Sequence, residues 1–136
     1  MQKRWMAGLL FTLCGGVLYP SLEVLFRGHT HPSMALAGAL CGALIYYGNA
    51  LFLHLPFWVR TLLGAGVILL VEFIAGVVCN LFLGLGVWDY SDRPPHLLGQ
   101  VCLRYALLWV LLSGILAFVV RVYERERREA AGENNF

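Results

Sequence analysis

Long apolar stretches alternate with short polar segments along nearly the whole chain. The stretches lie at about residues 5–27, 33–55, 57–87 and 97–122. Each reaches the roughly 20 residues that a helix needs to cross a bilayer core about 30 Å thick. The pattern therefore predicts an all-α, polytopic membrane protein with a bundle of four transmembrane helices. We expect a single domain over residues 1–123, followed by a charged tail at 124–136 that continues as a solvated helix and frays near its end.

The composition removes the main alternatives to a membrane protein. The chain has 136 residues, of which 60% are hydrophobic and 13% charged, and its mean hydropathy is +0.72. A typical soluble domain is about 45–50% apolar and about 25% charged, and a short chain cannot bury such an excess of apolar residues. The formal net charge of only +2 argues against a nucleic-acid-binding module. Membrane lipids are the expected surroundings.

The distribution of basic residues predicts the orientation in the membrane. Cytoplasmic loops collect Lys and Arg, and most basic residues fall on one side of a four-span topology. These residues are Lys3, Arg4, Arg60, Arg121, Arg125, Arg127 and Arg128. Only Arg27 and Arg93 fall on the other side. We therefore predict that both termini and the turn at 54–60 lie in the cytoplasm, and that the loops at 28–32 and 88–96 lie outside.

The third predicted span contains one carboxylate near its middle, Glu72. An ionisable side chain at that depth costs about 2.5–3.5 kcal/mol on insertion scales, so it usually faces the bundle interior and marks a functional site. Gly76 and Asn80 follow at i+4 and i+8 and share its helix face. We interpret this stripe as a polar track towards the outer side, with Glu72 as a proton or cation site. The alternative is that Glu72 is protonated, or is paired and only holds helices together.

A second polar stripe lies at the outer end of the first span, where Tyr19, Glu23 and Arg27 recur every four residues. This spacing places them on one helix face and favours an ion pair between Glu23 and Arg27. The same groups are candidates for binding a substrate or an ion, as is His31 in the following loop. Two histidines at i and i+2, His29 and His31, are a weak metal signal without a fixed third ligand, so no metal site is predicted.

The second outer loop alternates aromatic and polar residues. Trp88 and Tyr90 fit an aromatic belt at the membrane interface. Asp89 and Ser91 are either part of a binding site or caps of backbone groups at a turn.

Gln100 and Arg104 are predicted to lie one turn apart, just inside the fourth span. Gln100 is expected to hydrogen-bond across helices, and Arg104 either offsets Glu72, Glu23 or Asp89 or contacts lipid phosphate. Two helix stripes and two loops thus direct polar side chains to the outer half of one small bundle. The candidate substrate- or ion-binding residues are Glu23, Arg27, His31, Glu72, Asn80, Asp89, Ser91, Gln100 and Arg104.

The sequence contains no motif of a soluble enzyme. It has no P-loop, no G-x-S-x-G, no H-E-x-x-H and no dinucleotide fingerprint, so no cofactor is predicted and an ATP-driven role would require a separate ATPase. The four cysteines are spread one per span and serve as small apolar fillers. Gly38 and Gly42 form a G-x-x-x-G that lets two helices approach closely, either within the chain or in a dimer.

Several of these motifs together resemble a known family. They are Glu23-x-x-x-Arg27-Gly28-x-Thr30-His31, Glu72-Phe73-x-x-Gly76-x-x-x-Asn80, Trp88-Asp89-Tyr90-Ser91 and Gly99-Gln100. Over about residues 19–109 the chain is similar to the bacterial type IV ABC-transporter membrane proteins (CmpB-like), with vertebrate four-span transmembrane proteins as more distant relatives. The resemblance implies a polytopic membrane protein with a permease role. The chain departs from the family pattern at His29, Pro32, His96 and Arg104.

Three functions fit these observations. The favoured one is a transporter or permease component whose outer polar pocket admits a solute or a lipid headgroup. A single four-span bundle is small for alternating access, so we expect a homo-oligomer, a partner membrane subunit or an ATPase. The second is a membrane-embedded enzyme acting on a lipid at the outer interface, with Glu72, Asp89 or His31 as acid or base and Arg27 binding phosphate. The third is a non-catalytic lipid-binding or assembly protein.

Overall fold

Four long helices form the protein in a computed structural model that describes residues 2–92 and 94–132. They are α1 (Gln2–Arg27), α2 (Pro32–Leu51), α3 (Phe57–Gly76) and α4 (Leu103–Ala130), and α3 continues as a π-helical segment, Val77–Phe82. All four helices are long and apolar enough to cross a membrane. The structure therefore confirms the all-α, four-span class. Arg93 and residues 133–136, which include part of the predicted tail, lie outside the described residues.

The start of α1 and the last part of α4 lie at the same end of the bundle. The Tyr123 hydroxyl near the end of α4 donates to the backbone oxygen of Lys3 at the start of α1, over 3.0 Å. We call this the terminal end, and we call the opposite end, which carries the connections after α1 and α3, the loop end. Their assignment to the cytoplasmic and outer sides stays a prediction.

Glycines bring α1 and α2 into close contact. A Cβ at Gly38 would collide with the backbone oxygen of Gly15, and a Cβ at Gly42 would collide with that of Phe11. Small residues allow such a backbone approach in lipid, where close packing replaces the hydrophobic effect. The G-x-x-x-G of α2 therefore packs within the chain rather than presenting a free dimer face.

The outer surface of the bundle is apolar, whereas several polar side chains are buried inside. Leucines such as Leu9, Leu25 and Leu107 are more than half exposed on the isolated chain, as expected for side chains that face lipid. The buried polar residues are Glu23, Asn49, Arg60, Glu72, Gln100, Ser113 and Glu124. Polar groups in a membrane protein face the interior because lipid offers them no hydrogen bonds.

The third and fourth helices differ from the predicted spans. The third helix ends at Phe82 rather than near residue 87, and α4 begins at Leu103 rather than near residue 97. Between them, β1 (His96–Leu97) pairs antiparallel with β2 (Val101–Cys102). At its other end, α4 continues to Ala130, well into the predicted tail.

Glycines explain the early end of the third helix. Gly84 and Gly86 adopt positive φ angles of 65° and 60°, which an L-residue with a side chain rarely adopts. The chain then runs without regular structure and buries Val87, Trp88 and Tyr90. Such a backbone is tolerated at membrane depth only where it packs against protein. Leu83 and Leu85 are 59% and 49% exposed, so residues 83–87 combine a lipid-facing surface with a buried end. In the sequence this apolar run resembles the continuation of a helix.

Candidate functional site

The Glu72 carboxylate lies buried in the loop-end half of the bundle and accepts hydrogen bonds from three aromatic side chains. Tyr19 on α1 donates to Oε1 over 3.0 Å, and Trp109 on α4 donates with Nε1 to Oε2 over 3.0 Å. Tyr90, from the segment after the third helix, makes a longer hydrogen bond of 3.4 Å to Oε1. Glu72 is 2% exposed. One side chain of α3 thus connects α1, α4 and the irregular segment.

Arg27 completes this group from the end of α1. Its guanidinium carbon lies 4.8 Å from the ring centre of Tyr90 and 5.6 Å from those of Trp88 and Tyr105, within the range of cation–π attraction. Its Nη1 also donates to Glu23 Oε1 over 3.2 Å. The predicted ion pair is therefore present, and an aromatic cage holds its cation.

The buried charges of this group do not balance. We define the Glu72 cluster as Tyr19, Glu23, Arg27, Glu72, Tyr90 and Trp109. Within it, Arg27 pairs with Glu23, whereas the groups that contact Glu72 are neutral donors. With both carboxylates ionised, the cluster carries one excess negative charge. A buried charge without a partner ion is costly, so a proton or a bound cation would stabilise the cluster.

Asn80 and Gln100 lie beside the Glu72 cluster and hold the irregular segment in place. Asn80 Oδ1 accepts from the backbone N–H groups of Val87, at 2.6 Å, and Trp88, at 3.4 Å, while its Nδ2 donates to Gln100 Oε1 over 2.8 Å. The Trp88 indole in turn donates to the Gln100 backbone oxygen over 2.9 Å. Gln100 makes the predicted contact with the third helix, but from the hairpin turn rather than from inside the fourth helix.

Asp89 and Ser91 point away from the cluster. Both are exposed, and the Asp89 carboxylate accepts from the Ser91 hydroxyl and, over 2.9 Å, from its backbone N–H. These hydrogen bonds from Ser91 hold the pKa of the Asp89 carboxyl below its ordinary value. The pair therefore forms the local cap that was one of the two interpretations of the sequence.

His31 and Arg104 also lie outside the cluster. His31 is the N-cap of α2, where its Nδ1 accepts from the Ser33 backbone N–H at 3.2 Å. Arg104 is exposed at the start of α4, and no described carboxylate lies within ion-pair distance of it. The expectation that Arg104 offsets a buried carboxylate is therefore wrong. In residues 2–92 and 94–132, no three potential metal ligands come together.

Two very different cavities border the Glu72 cluster. One, of about 20 Å³, lies among Glu23, Arg27, Tyr105 and Trp109, which is room for about one water molecule. The other, of about 300 Å³, is apolar and is lined by α1, α2, α3 and α4, with Tyr19 and Trp109 in its wall. Part of the residue set that the sequence assigned to an outer polar pocket thus forms a compact polar cluster beside an apolar cleft.

Several residues in and around the Glu72 cluster were not identified from the sequence. Trp88 and Tyr90 were assigned to an interfacial belt, but they are 6% and 3% exposed and face Arg27 and Glu72. Trp109 was not identified from the sequence either. Its position relative to the other buried residues of α4 could have indicated it, because these residues recur every three or four positions. They are Trp109, Ser113, Ala117, Val120 and Glu124.

The same spacing reveals a second polar cluster at the terminal end. Glu124, assigned from the sequence to the solvated tail, is fully buried. It accepts from the Tyr46 hydroxyl over 2.8 Å and pairs with Arg127 at 3.1 Å and Arg4 at 3.7 Å. Unlike Glu72, this carboxylate has cationic partners. Its contacts with Arg4 and Tyr46 link α4 to α1 and α2.

Residues 10–131 match the model of the family described as Putative ABC-transporter type IV. No curated protein and no solved structure matches the chain.

Proposed function

The chain belongs to the Putative ABC-transporter type IV family and is a multi-pass membrane protein by its four helices; from this premise we propose that it is a transport component whose working group is Glu72. The proposal rests chiefly on the charge imbalance of the Glu72 cluster. A carboxylate that served only to hold helices together would be expected to have a cationic partner, as Glu124 has in Arg127 and Arg4.

Glu72 is suited to take up and release a proton or a small cation. Its three contacts are neutral donors, so binding of a positive charge neutralises the cluster without displacing an existing ion pair. The tyrosine hydroxyls can also turn to accept a hydrogen bond, which allows them to adapt to a protonated carboxyl. The adjacent 20 Å³ cavity suits a proton, a water molecule or a small ion better than an organic solute.

The apolar cleft supplies a place for a larger solute. Its wall includes Tyr19 and Trp109, two of the donors that hold Glu72. A lipid-like or apolar solute in the cleft would therefore contact the same side chains that respond to the charge state of Glu72. This shared contact is a direct physical route for coupling solute binding to proton or cation binding.

One four-helix bundle is small for a complete transporter, because alternating access usually requires two repeats or subunits that move around a central site. We propose that the chain works with a second copy or with a partner membrane subunit and an ATPase, in the inner membrane. The hypothesis of a lipid-modifying enzyme loses support, because Asp89 and His31 serve as caps outside the cluster.

The first experiment is a mild-detergent pull-down of the native protein from its own membranes, with mass spectrometry of co-purified proteins and lipids. An ATPase or a second membrane subunit would support the transport role. Recovery of the chain alone, with one tightly held lipid class, would favour the lipid-binding alternative instead.

A second experiment tests Glu72 directly. Proteoliposomes containing an entrapped pH indicator or an entrapped sodium indicator are exposed to a diffusion potential, with sodium present or absent, and Glu72→Gln is compared with wild type and with Glu124→Gln. We expect Glu72→Gln to abolish proton or sodium entry, and a folded Glu124→Gln variant to retain it. Size-exclusion profiles establish that each variant is folded. Wild-type flux in Glu72→Gln would remove Glu72 from the mechanism.

A further inference from the structure

A buried arginine at the terminal end has no carboxylate partner. Arg60, in the first turn of α3, is 2% exposed. Its Nη1 donates to Asn49 Oδ1 over 3.2 Å and, weakly, to the Ala117 backbone oxygen over 3.5 Å, while its buried Nε has no hydrogen-bond partner. No described Asp or Glu lies within 4.0 Å of its guanidinium. The guanidinium therefore retains an unsatisfied donor and an uncompensated charge.

The surroundings of Arg60 add positive charge rather than remove it. The charged side chain that acts on it is another cation, Arg121 on α4. Arg60 also lies in the first turn of its own helix, where the helix dipole is partly positive. An uncompensated buried cation costs several kcal/mol, so the site gains stability from any anion that can reach it.

A cavity gives an anion access to Arg60. The cavity has a volume of about 190 Å³ and lies between α2 and α3, with Asn49, Arg60 and Gly48 in its wall. Gly48 leaves this space open, since a Cβ there would meet no atom within 4 Å. The remaining wall is apolar and includes Leu44 and Leu63, which are 44% and 52% exposed on the lipid-facing surface.

The depth of the cavity matches that of lipid headgroups. Arg60 is three residues from the start of α3 at Phe57, a rise of about 4.5 Å along the helix. Trp58 beside it is 65% exposed, as is typical of a tryptophan at the membrane interface. An anion at Arg60 would thus lie at the interface, with apolar walls leading from it into the lipid.

We propose that the cavity between α2 and α3 binds the phosphate of an anionic phospholipid through Arg60, with an acyl chain along Leu44 and Leu63. Arg60 lies in the wall of the cavity with no described carboxylate partner, and Asn49 holds the guanidinium in place through Nη1. This assignment is independent of Glu72, which lies twelve residues further along α3, about 18 Å away.

The test measures binding of phosphatidylglycerol and of phosphatidylcholine with identical acyl chains to the detergent-purified full chain, by native mass spectrometry. We expect wild type to prefer the anionic lipid by at least about tenfold, the size of one charge-assisted contact. Arg60→Gln should reduce the preference to about twofold or less. Arg125→Gln removes an exposed charge from the same end and should retain the wild-type preference.

A second variant separates the cavity from the charge. Gly48→Leu fills the open space while keeping Arg60, and it should abolish the preference; this variant decides the question if Arg60→Gln does not fold. Inorganic phosphate is added as a competitor to distinguish a lipid from a free anion. Competition at equal concentration would show a free-phosphate site and overturn the lipid assignment. An unchanged preference in Gly48→Leu, or no preference in wild type, would overturn the site itself.

Discussion

Replacing Glu72 by leucine and by glutamine separates its hydrogen bonds from its charge. Both substitutions remove the charge. The difference in the free energy of unfolding between the two variants therefore contains no cost of burying a charge. Glutamine retains one carbonyl oxygen, which can accept from Trp109, a donor that cannot accept in return. Its amide group can donate to the hydroxyl oxygens of Tyr19 and Tyr90, which can turn to accept. Leucine offers none of these contacts.

The expected difference follows from the three hydrogen bonds. Two are 3.0 Å long and one is 3.4 Å, and all three donors belong to residues less than 10% exposed. A buried donor left without a partner costs about 1–3 kcal/mol. The two short bonds count fully and the long bond counts weakly, so we expect Glu72→Leu to be about 2–7 kcal/mol less stable than Glu72→Gln.

The free energy of unfolding can be measured by SDS titration in mixed micelles, with tryptophan fluorescence as the signal. Tyr19→Phe and Tyr90→Phe serve as matched controls, because each removes one hydroxyl and keeps the ring. Tyr19→Phe should cost more than Tyr90→Phe, in keeping with the bond lengths. Equal stability of the leucine and glutamine variants, within about 1 kcal/mol, would refute the assigned hydrogen bonds.

Two further predictions concern the glycine contact and the outer loop. Gly38→Ala should destabilise the protein by about 1–3 kcal/mol, because its Cβ would collide with the backbone of Gly15. Gly66→Ala, where a Cβ meets no atom within 4 Å, should be neutral or slightly stabilising in the same titration. The Asp89 carboxyl should titrate below the ordinary aspartate pKa of about 3.9, because Ser91 hydrogen-bonds its ionised form. Its stabilising contribution is thus present above that ordinary value and is lost as the pH falls through the lowered pKa. Ser91→Ala should raise this pKa towards the ordinary value in an NMR titration, and an unchanged pKa would exclude the hydroxyl contact.

The helices were predictable because the bilayer imposes a length. A span of about 20 apolar residues between charges has few other outcomes in lipid, and all four predicted spans correspond to helices. The stripe of Tyr19, Glu23 and Arg27 was also recoverable, because helical spacing alone places these residues on one face. Their link to Glu72 on another helix depends on packing, which the spacing within one helix does not reveal.

The connection between α3 and α4 was less predictable, because apolar composition has two causes in a membrane protein. Residues 83–87 are apolar like a helix that faces lipid, but they end the helix at two glycines, Gly84 and Gly86, with positive φ. The same ambiguity affected Trp88 and Tyr90, since aromatic side chains suit both an interface and a buried cage around Arg27. Only the packing of the segment against the bundle distinguishes the two outcomes.

The charged groups inside the bundle differ in whether their partners are within the chain. Glu124 is surrounded by cations and ties helices together, which is sufficient reason for its burial. Glu72 and Arg60 are as deeply buried, yet the described residues give neither an oppositely charged partner at contact distance. Packing alone would favour apolar residues at both positions, because an unpaired buried charge lowers stability. Their opposite signs call for different ligands, which supports the two separate binding functions that we propose on α3, a proton or cation at the loop end and an anion at the terminal end.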